Sequence, residues 1–292
     1  MERQAAPTTT TTRALLDGYD GILLDLYGVL VDAGGLLPRA REFLAELDAR
    51  RKPFAFVSND ASRSTATYVE RFASWGVQVA PERFVTSGSL LPAYFAERKL
   101  AGARVAVLGT ADSEAFVREG GGDVVAVRPG MEIDAVVVAD DAGFAFLDGL
   151  EASLSAIVRA VEAGRRPALV LPNPDLVYPK GGGELGFTAG TMALMIEAAL
   201  ERRFPGAGLV FDRLGKPEPH LFAAAAKQLG IAVDRLVMVG DQLETDIAGA
   251  NAAAVPCALL AGAISRWTNE ESAHRAPRAR ARPTWLLDAL WP

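Results

Sequence analysis

The chain is ordered by short apolar runs that alternate with amphipathic stretches, and this alternation constrains its fold more than any other feature. Gly21-Ile-Leu-Leu leads into Asp25 and is followed by the amphipathic stretch 39–50; Phe54-Ala-Phe-Val-Ser58 is followed by 65–75. Such alternation predicts βαβ units and a parallel sheet covered by helices on both faces, an α/β fold with a doubly wound parallel sheet. Four runs also end on polar residues: Asp25 and Tyr27, Ser58-Asn59-Asp60, Thr86-Ser87-Gly88 and Gly240-Asp241. Ligands of open α/β sheets bind beyond the carboxyl ends of the strands, so these four ends are expected to converge on one crevice.

The middle of the chain repeats the pattern on its own. Strands are expected at 104–109, 135–139 and 167–172, with helices at 113–119, 147–163 and 188–203, enough for a second α/β domain inserted into the first. Pro and Gly punctuate the chain near Leu91 to Ala93 and near Pro205 to Gly208, where the joints are expected. The expected division is therefore a Rossmann-like core of residues 13–92 and 207–292, an inserted domain of 93–206, and a disordered tail of 1–12. The tail carries a run of five threonines and no signal-peptide pattern.

Composition excludes several function classes. A net charge of −6 offers no broad basic field for nucleic acid or an anionic membrane. The Arg-rich stretch 275–282 reads as a solvated loop. With two histidines and one cysteine, Cys257, neither a multi-histidine zinc site nor a disulfide framework can form within the chain. Any metal must be held by oxygen ligands, as Mg²⁺ prefers. No run approaches the ~20 apolar residues of a membrane-spanning helix, so the cytoplasm is the expected compartment.

Four segments carry candidate chemistry. In Asp25-Leu-Tyr-Gly-Val-Leu30 an aspartate ends a strand; alone, it reads better as a capping aspartate than as a functional one. In Phe56-Val-Ser-Asn-Asp-Ala-Ser-Arg63 a strand opens into a helix start, where Ser58 can donate to an anion and Asn59 and Asp60 lie alongside. In Leu214-Gly-Lys-Pro-Glu-Pro219, Lys216 sits between Gly and Pro, a stiff setting for a lysine that must neutralise carboxylates and phosphoryl oxygens. In Val237-Met-Val-Gly-Asp-Gln-Leu-Glu-Thr-Asp-Ile247, Asp241 is followed five residues later by Asp246, at the expected start of a helix over 246–254. Two carboxylates around one loop repel unless a cation lies between them.

Together and in this order, the four segments resemble the motifs of the haloacid dehalogenase (HAD) superfamily. The gap of 158 residues between Ser58 and Lys216 resembles the space taken by the α/β cap of its class IIA branch, the NagD-like and 4-nitrophenylphosphatase-like enzymes. Val85-Thr-Ser-Gly88, Asn173-Pro-Asp175 and the Gly-rich stretch 179–199 are similar to that branch as well. The resemblance implies Mg²⁺-dependent hydrolysis of small phosphorylated metabolites through an aspartyl-phosphate on Asp25. It implies that Ser58 and Lys216 hold the phosphoryl oxygens and that Lys216 restrains Asp25. Mg²⁺ would be bound by Asp25, Asp241 and the Tyr27 carbonyl, with Asp246 in support. Asn59 and Asp60 are expected beside the substrate, and Asn173, Asp175, Tyr178 and Lys180 are cap candidates for facing it. Caps of this branch often mediate dimers, so a homodimer through the cap is expected.

One position departs from the pattern. Phosphatases of this superfamily usually carry, two residues after the nucleophile, an aspartate that serves as general acid and base; here the residue is Tyr27. A phenol can donate a proton, but at neutral pH it is rarely the phenolate needed to activate water. Turnover is therefore expected to be slow and best on activated esters, with Asp60 a candidate substitute base. Two other readings follow from Tyr27: a metal-independent 2-haloacid dehalogenase, against which the Asp241/Asp246 pair argues, and a non-catalytic phospho-ligand binder.

Overall fold

The computed structural model describes residues 7–261 and 281–292. Residues 1–6 of the expected tail, and residues 275–280 of the Arg-rich stretch, lie outside the described residues. Thr8–Thr9, within that tail, form a short edge strand paired in parallel with Trp285 and Leu286. Two compact units account for the chain: Met1–Ser58, Val69–Val85 and Lys216–Pro292 make the first, and Asn59–Tyr68 and Thr86–Gly215 the second.

The first unit is organised around a seven-stranded sheet in the order Thr8–Thr9, Trp285–Leu287, Cys257–Leu260, Leu236–Gly240, Gly21–Leu24, Phe54–Ser58, Phe84–Thr86. Pairing is parallel from the first of these strands through to Phe54–Ser58. Gly21–Leu24 is buried along its whole length, as the continuous apolar run requires of a strand covered on both faces. Its register sets Leu24 beside Val239 on one side and Phe56 on the other, so the three strands end nearly level. The chain proceeds from this strand to Phe54–Ser58 on one side and returns much later to Leu236–Gly240 on the other. Strand order thus reverses at Gly21–Leu24, the kind of switch point at which open α/β sheets bind ligands.

The second unit holds a five-stranded sheet in the order Asp212–Arg213, Ala168–Leu171, Ala135–Val138, Arg104–Leu108, Asp123–Val125, all parallel. Its strand residues alternate between two cores. Val136 and Val138 pack with Leu150, Ile157, Met192 and Ile196 of the helices Phe146–Glu162 and Ala189–Arg203. Ala135 and Val137 join Leu91, Phe95, Phe116 and Val117 on the opposite face. The unit extends to Gly215, beyond the joint expected near Pro205 to Gly208, because Val170 and Leu171 pair with Asp212 and Arg213 and draw that segment into the second sheet.

Two local expectations change. The helix expected over 246–254 is a π-type turn at Leu243–Ile247 followed by a short helix Ala248–Ala252; both the Asp246 and Ile247 N–H groups donate to the Gln242 carbonyl. Within the Gly-rich stretch 179–199, an antiparallel ribbon joins Val177–Gly181 to Glu184–Phe187. No helix among the described residues is long and apolar enough to cross a membrane.

Ser153 stands out in the helix Phe146–Glu162, fully buried with a hydroxyl that has no hydrogen-bond partner among the described residues. A buried hydroxyl without a partner costs ~1–3 kcal/mol, and alanine is the better helix former. Ser153→Ala is expected to stabilise the protein by about 1 kcal/mol in denaturant unfolding; a lower midpoint at unchanged slope would contradict this account.

Candidate active site

The end of the central strand is extended by one bond, the Asp25 N–H donating to the Val239 carbonyl at 3.0 Å. The chain then folds into a tight loop, in which the N–H groups of Leu30 and Val31 donate to the Leu26 carbonyl and that of Gly28 donates to the Val31 carbonyl. Gly28 has φ +96°, and a Cβ at this position would lie 2.5 Å from Asp241 Oδ2. The loop therefore needs glycine twice over, for its backbone conformation and for its approach to the second aspartate. Tyr27, next to it, is half-buried.

Lys216 begins the last segment of the first unit and is almost wholly buried. Its Nζ donates to Asp25 Oδ1 at 2.7 Å, to Asp246 Oδ1 at 2.6 Å and to the Val57 carbonyl at 3.0 Å. An ammonium has three donors, and these three acceptors surround it. Lys216 thus fixes the Asp25 carboxylate, and what it offers a ligand at this point is chiefly its positive charge. Asp246 is held from its other oxygen by the Gln242 N–H at 3.1 Å. A Cβ on Gly240 would fall 2.3 Å from Asp246 Cβ, so glycine at the strand end is what lets the π-type turn bring Asp246 back against it.

Asp25, Asp241 and Asp246 are all buried, and each offers an oxygen within 4.8 Å of the others. One ammonium faces three carboxylates. Burial, then the neighbouring Asp246, push the Asp25 carboxyl up to about 7 against the pull of Lys216. Burial disfavours charge on Lys216, but Asp246 and Asp25 outweigh it and hold its pKa above the ordinary lysine value. Among the described residues the ammonium bonded to this cluster is that of Lys216, and the atoms the three aspartates offer a metal are all oxygens. A small divalent cation such as Mg²⁺ suits such a group.

Four residues singled out in the sequence, Asp25, Lys216, Asp241 and Asp246, thus come together in the first unit. Ser58 is buried at the end of Phe54–Ser58, one residue beyond the carbonyl that receives Lys216. Tyr27 belongs to the first unit as well, and Asn59, Asp60 and the candidates from 173 to 180 belong to the second. Asn59 donates to Asp175 Oδ1 at 2.9 Å, and the Asp175 N–H donates to Asn173 Oδ1 at 3.0 Å. Asp60 receives the backbone N–H and hydroxyl of Ser62, both at 2.6 Å, Arg63 at 2.7 Å, and the Tyr68 hydroxyl. These four donors engage both carboxylate oxygens in holding the loop. The Tyr178 hydroxyl donates to Asp141 at 3.5 Å, and Lys180 is exposed.

Sequence reasoning missed the Val57 carbonyl, which no motif can reveal because every residue has one. It also passed over Gly28 and Gly240. Their position directly beside the aspartates was the available signal, since glycine next to a functional side chain marks close backbone approach.

Comparison with known proteins gives the family of the chain. A family model of haloacid dehalogenase-like hydrolases matches residues 22–123, and a HAD-hydrolase-like model matches residues 213–291; the matched segments contain Asp25, Ser58, Lys216, Asp241 and Asp246. Human (Homo sapiens) glycerol-3-phosphate phosphatase is 31% identical over 264 residues, covering 80% of this chain and 76% of that protein. The crystal structure of a possible sugar phosphatase from Cytophaga hutchinsonii superposes with a TM-score of 0.84 at 27% identity, covering 98% of this chain and 99% of the other. Glycerol phosphate phosphatase from Mycobacterium tuberculosis, solved in complex with magnesium, gives 0.76 at 27% identity, covering 97% and 77%. With its motif-bearing segments matched and its fold shared almost end to end, this chain belongs to the haloacid dehalogenase-like hydrolases, in their class IIA group.

Proposed function

We propose that this hydrolase is a divalent-cation-dependent phosphatase of small phosphorylated metabolites, of the polyol phosphate or sugar phosphate type, working through an aspartyl-phosphate on Asp25. The observation that carries the reading is the buried cluster in which Lys216 binds Asp25 and Asp246 at once, with Asp241 in the same oxygen-lined group. The relatives support the substrate class, since their names specify glycerol phosphate and sugar phosphatases.

Asp25 is the nucleophile. One carboxylate oxygen attacks phosphorus, the ester P–O bond breaks, and its electron pair leaves on the alkoxide, which takes up a proton. Water then attacks the phosphorus of the acyl phosphate and returns the carboxylate with release of inorganic phosphate. Lys216 keeps the nucleophile in one orientation and sets positive charge beside it, so little rearrangement is required when phosphoryl charge shifts. A divalent cation held by Asp25, Asp241 and the Tyr27 carbonyl, with Asp246 in support, would supply Lewis-acid stabilisation of the phosphoryl oxygens. Ser58 supplies a hydroxyl donor at a strand end next to Val57. Tyr27 can protonate the leaving alkoxide but is a poor base for the second step, which makes hydrolysis of the aspartyl-phosphate the slow half. Asp60, engaged by its four donors, is a weak replacement base.

A phosphate-release screen over phosphorylated metabolites tests the proposal directly. Release is expected to require added Mg²⁺, to stop with EDTA, and to fall by about 10³-fold or more in Asp25→Asn. Phosphate release at the wild-type rate from Asp25→Asn would remove the nucleophile assignment. Halide release from a 2-haloacid in EDTA would instead support the dehalogenase reading.

Positioned acid–base help is worth ~10²–10⁴-fold in rate. Tyr27→Asp is accordingly expected to raise kcat by about 10²-fold, with the larger gain on alkyl than on aryl phosphates, whose leaving groups need less protonation. An unchanged or lowered kcat would show that the tyrosine does not limit turnover.

A further inference from the structure

The segment 59–62 continues the chain directly from Ser58; it is irregular, and Asn59, Ala61 and Ser62 are buried. A buried loop must find partners for its carbonyls without water. All four carbonyls here receive a donor from elsewhere in the second unit. The Ser87 hydroxyl donates to the Asn59 carbonyl at 2.6 Å and the Gly88 N–H to that of Asp60 at 3.3 Å. The Ser113 hydroxyl donates to the Ala61 carbonyl at 2.7 Å and the Thr110 hydroxyl to that of Ser62 at 2.6 Å.

Local structure does not require these hydroxyls to donate. Thr110 and Ser113 form the capping box of the helix Ala111–Glu119, where the Thr110 oxygen accepts the Ser113 N–H at 3.3 Å and the Ser113 oxygen accepts the Thr110 N–H at 3.1 Å. A box of this kind uses both side chains only as acceptors, and acidic or amide side chains would serve it as well. What serine and threonine add is a hydroxyl proton each. The bonds to residues 61 and 62 are shorter than the 3.2 Å between the two hydroxyls, so both protons go to the loop. Ser87 precedes the 3₁₀ turn Gly88–Leu90, yet its side chain caps nothing there and goes to Asn59 instead. Glycines make the approach possible: a Cβ on Gly109 would lie 2.7 Å from Ser113 Oγ, and one on Gly88 would lie 3.1 Å from Ala61 Cα.

The place of the clamp in the second sheet is equally specific. Strand order reverses at Arg104–Leu108, with Asp123–Val125 on one side of it and Ala135–Val138 on the other. Open α/β sheets bind ligands beyond such a strand end, and Thr110 and Ser113, just past it, bind the chain's own residues 61 and 62. We propose that Ser87, Thr110 and Ser113 are positioning residues for phosphate binding: they fix the main chain directly after Ser58 and thereby the direction in which its hydroxyl is presented. The inference rests on the reading of Ser58 as a donor to phosphoryl oxygens. A donor fixed beforehand spares each binding event the ordering of a loop. Phosphoryl oxygens meet that donor in substrate and transition state alike, so loss of the clamp acts on KM and leaves kcat.

Titration of inorganic phosphate into the full chain with Mg²⁺ tests the clamp, together with KM and kcat on 4-nitrophenyl phosphate. Ser87→Ala and Thr110→Val are each expected to weaken phosphate binding about tenfold and to raise KM equally, with kcat within about twofold of wild type. Thr110→Ser keeps the hydroxyl and is expected to bind phosphate as wild type does. Hydrogen exchange over residues 58–64 is expected to quicken in the first two variants and not in the third. A lowered thermal midpoint with unchanged phosphate affinity would mark the hydroxyls as merely structural and overturn the assignment, as would a tenfold loss in Thr110→Ser or a wild type that takes up no phosphate. Should Thr110→Val not fold, Ser87→Ala decides by the same criteria. Because phosphate is titrated and not turned over, a wild type that binds it but hydrolyses no ester, with the same loss in the variants, would bear out the clamp and sink the phosphatase reading alone.

Discussion

The buried ammonium of Lys216 is the contact on which the rest of the first unit depends. Charges withdrawn from water must be matched by partners of opposite sign and by hydrogen bonds, or the fold does not tolerate them. Asp25 follows the end of one strand and Asp246 lies in the π-type turn beyond another, far apart in the chain, and the lysine that joins them lies 191 residues from one and 30 from the other. The parallel register that sets Leu24 beside Val239 and Phe56 places the strand ends close enough for one side chain to reach all three. Among the described residues the same contact sets one ammonium against Asp25 and Asp246, with the Asp241 carboxylate in the same buried group. Such a group of carboxylates in a buried place is one whose charge a bound cation would offset.

The parts of the fold legible in the sequence are those whose burial is two-sided or whose periodicity is long. Ala135–Val138 faces a core on each side and so appears as an unbroken apolar run, and the helices Phe146–Glu162 and Ala189–Arg203 are long enough to show their period. The ribbon Val177–Phe187 was not legible. Pro179, Lys180 and three consecutive glycines read as a loop, although Gly182 and Gly183, with φ +61° and +90°, provide what a tight hairpin turn needs. The edge strands Asp123–Val125 and Asp212–Arg213 are too short to have a pattern, and only pairing to a neighbour defines them.

The site divides in a similar way. Asp25, Lys216, Asp241 and Asp246 were visible because acidic residues and a lysine beside glycine at strand ends are costly unless they do something in common. Asp60 is read less directly: its place after Ser58 makes it a site candidate, and in the folded unit its carboxylate also receives Ser62, Arg63 and Tyr68. A side chain's type and position in sequence do not say how many local donors will reach it first. The Val57 carbonyl shows the converse, a group with no sequence signature that the fold turns into the third acceptor of the lysine.

In the proposed mechanism Tyr27 separates two contributions that are usually supplied together. Electrostatic stabilisation of a transferring phosphoryl group comes from groups fixed in place beforehand, and here Lys216 and the carboxylate cluster are held by strand ends, by Gly28 and by Gly240. Acid–base help comes from one side chain with the right protonation in each half of the reaction. The contact between Gly28 and Asp241 leaves no room for a side chain at position 28, whereas Tyr27 is half-buried beside it and takes no part in the bonds that hold the loop. Position 27 can therefore change while the metal-binding geometry stays, because what it would give to a cation is a main-chain oxygen. Under the proposed mechanism, the rate of the second half-reaction would then be set separately from binding, with a tyrosine at this position setting it low.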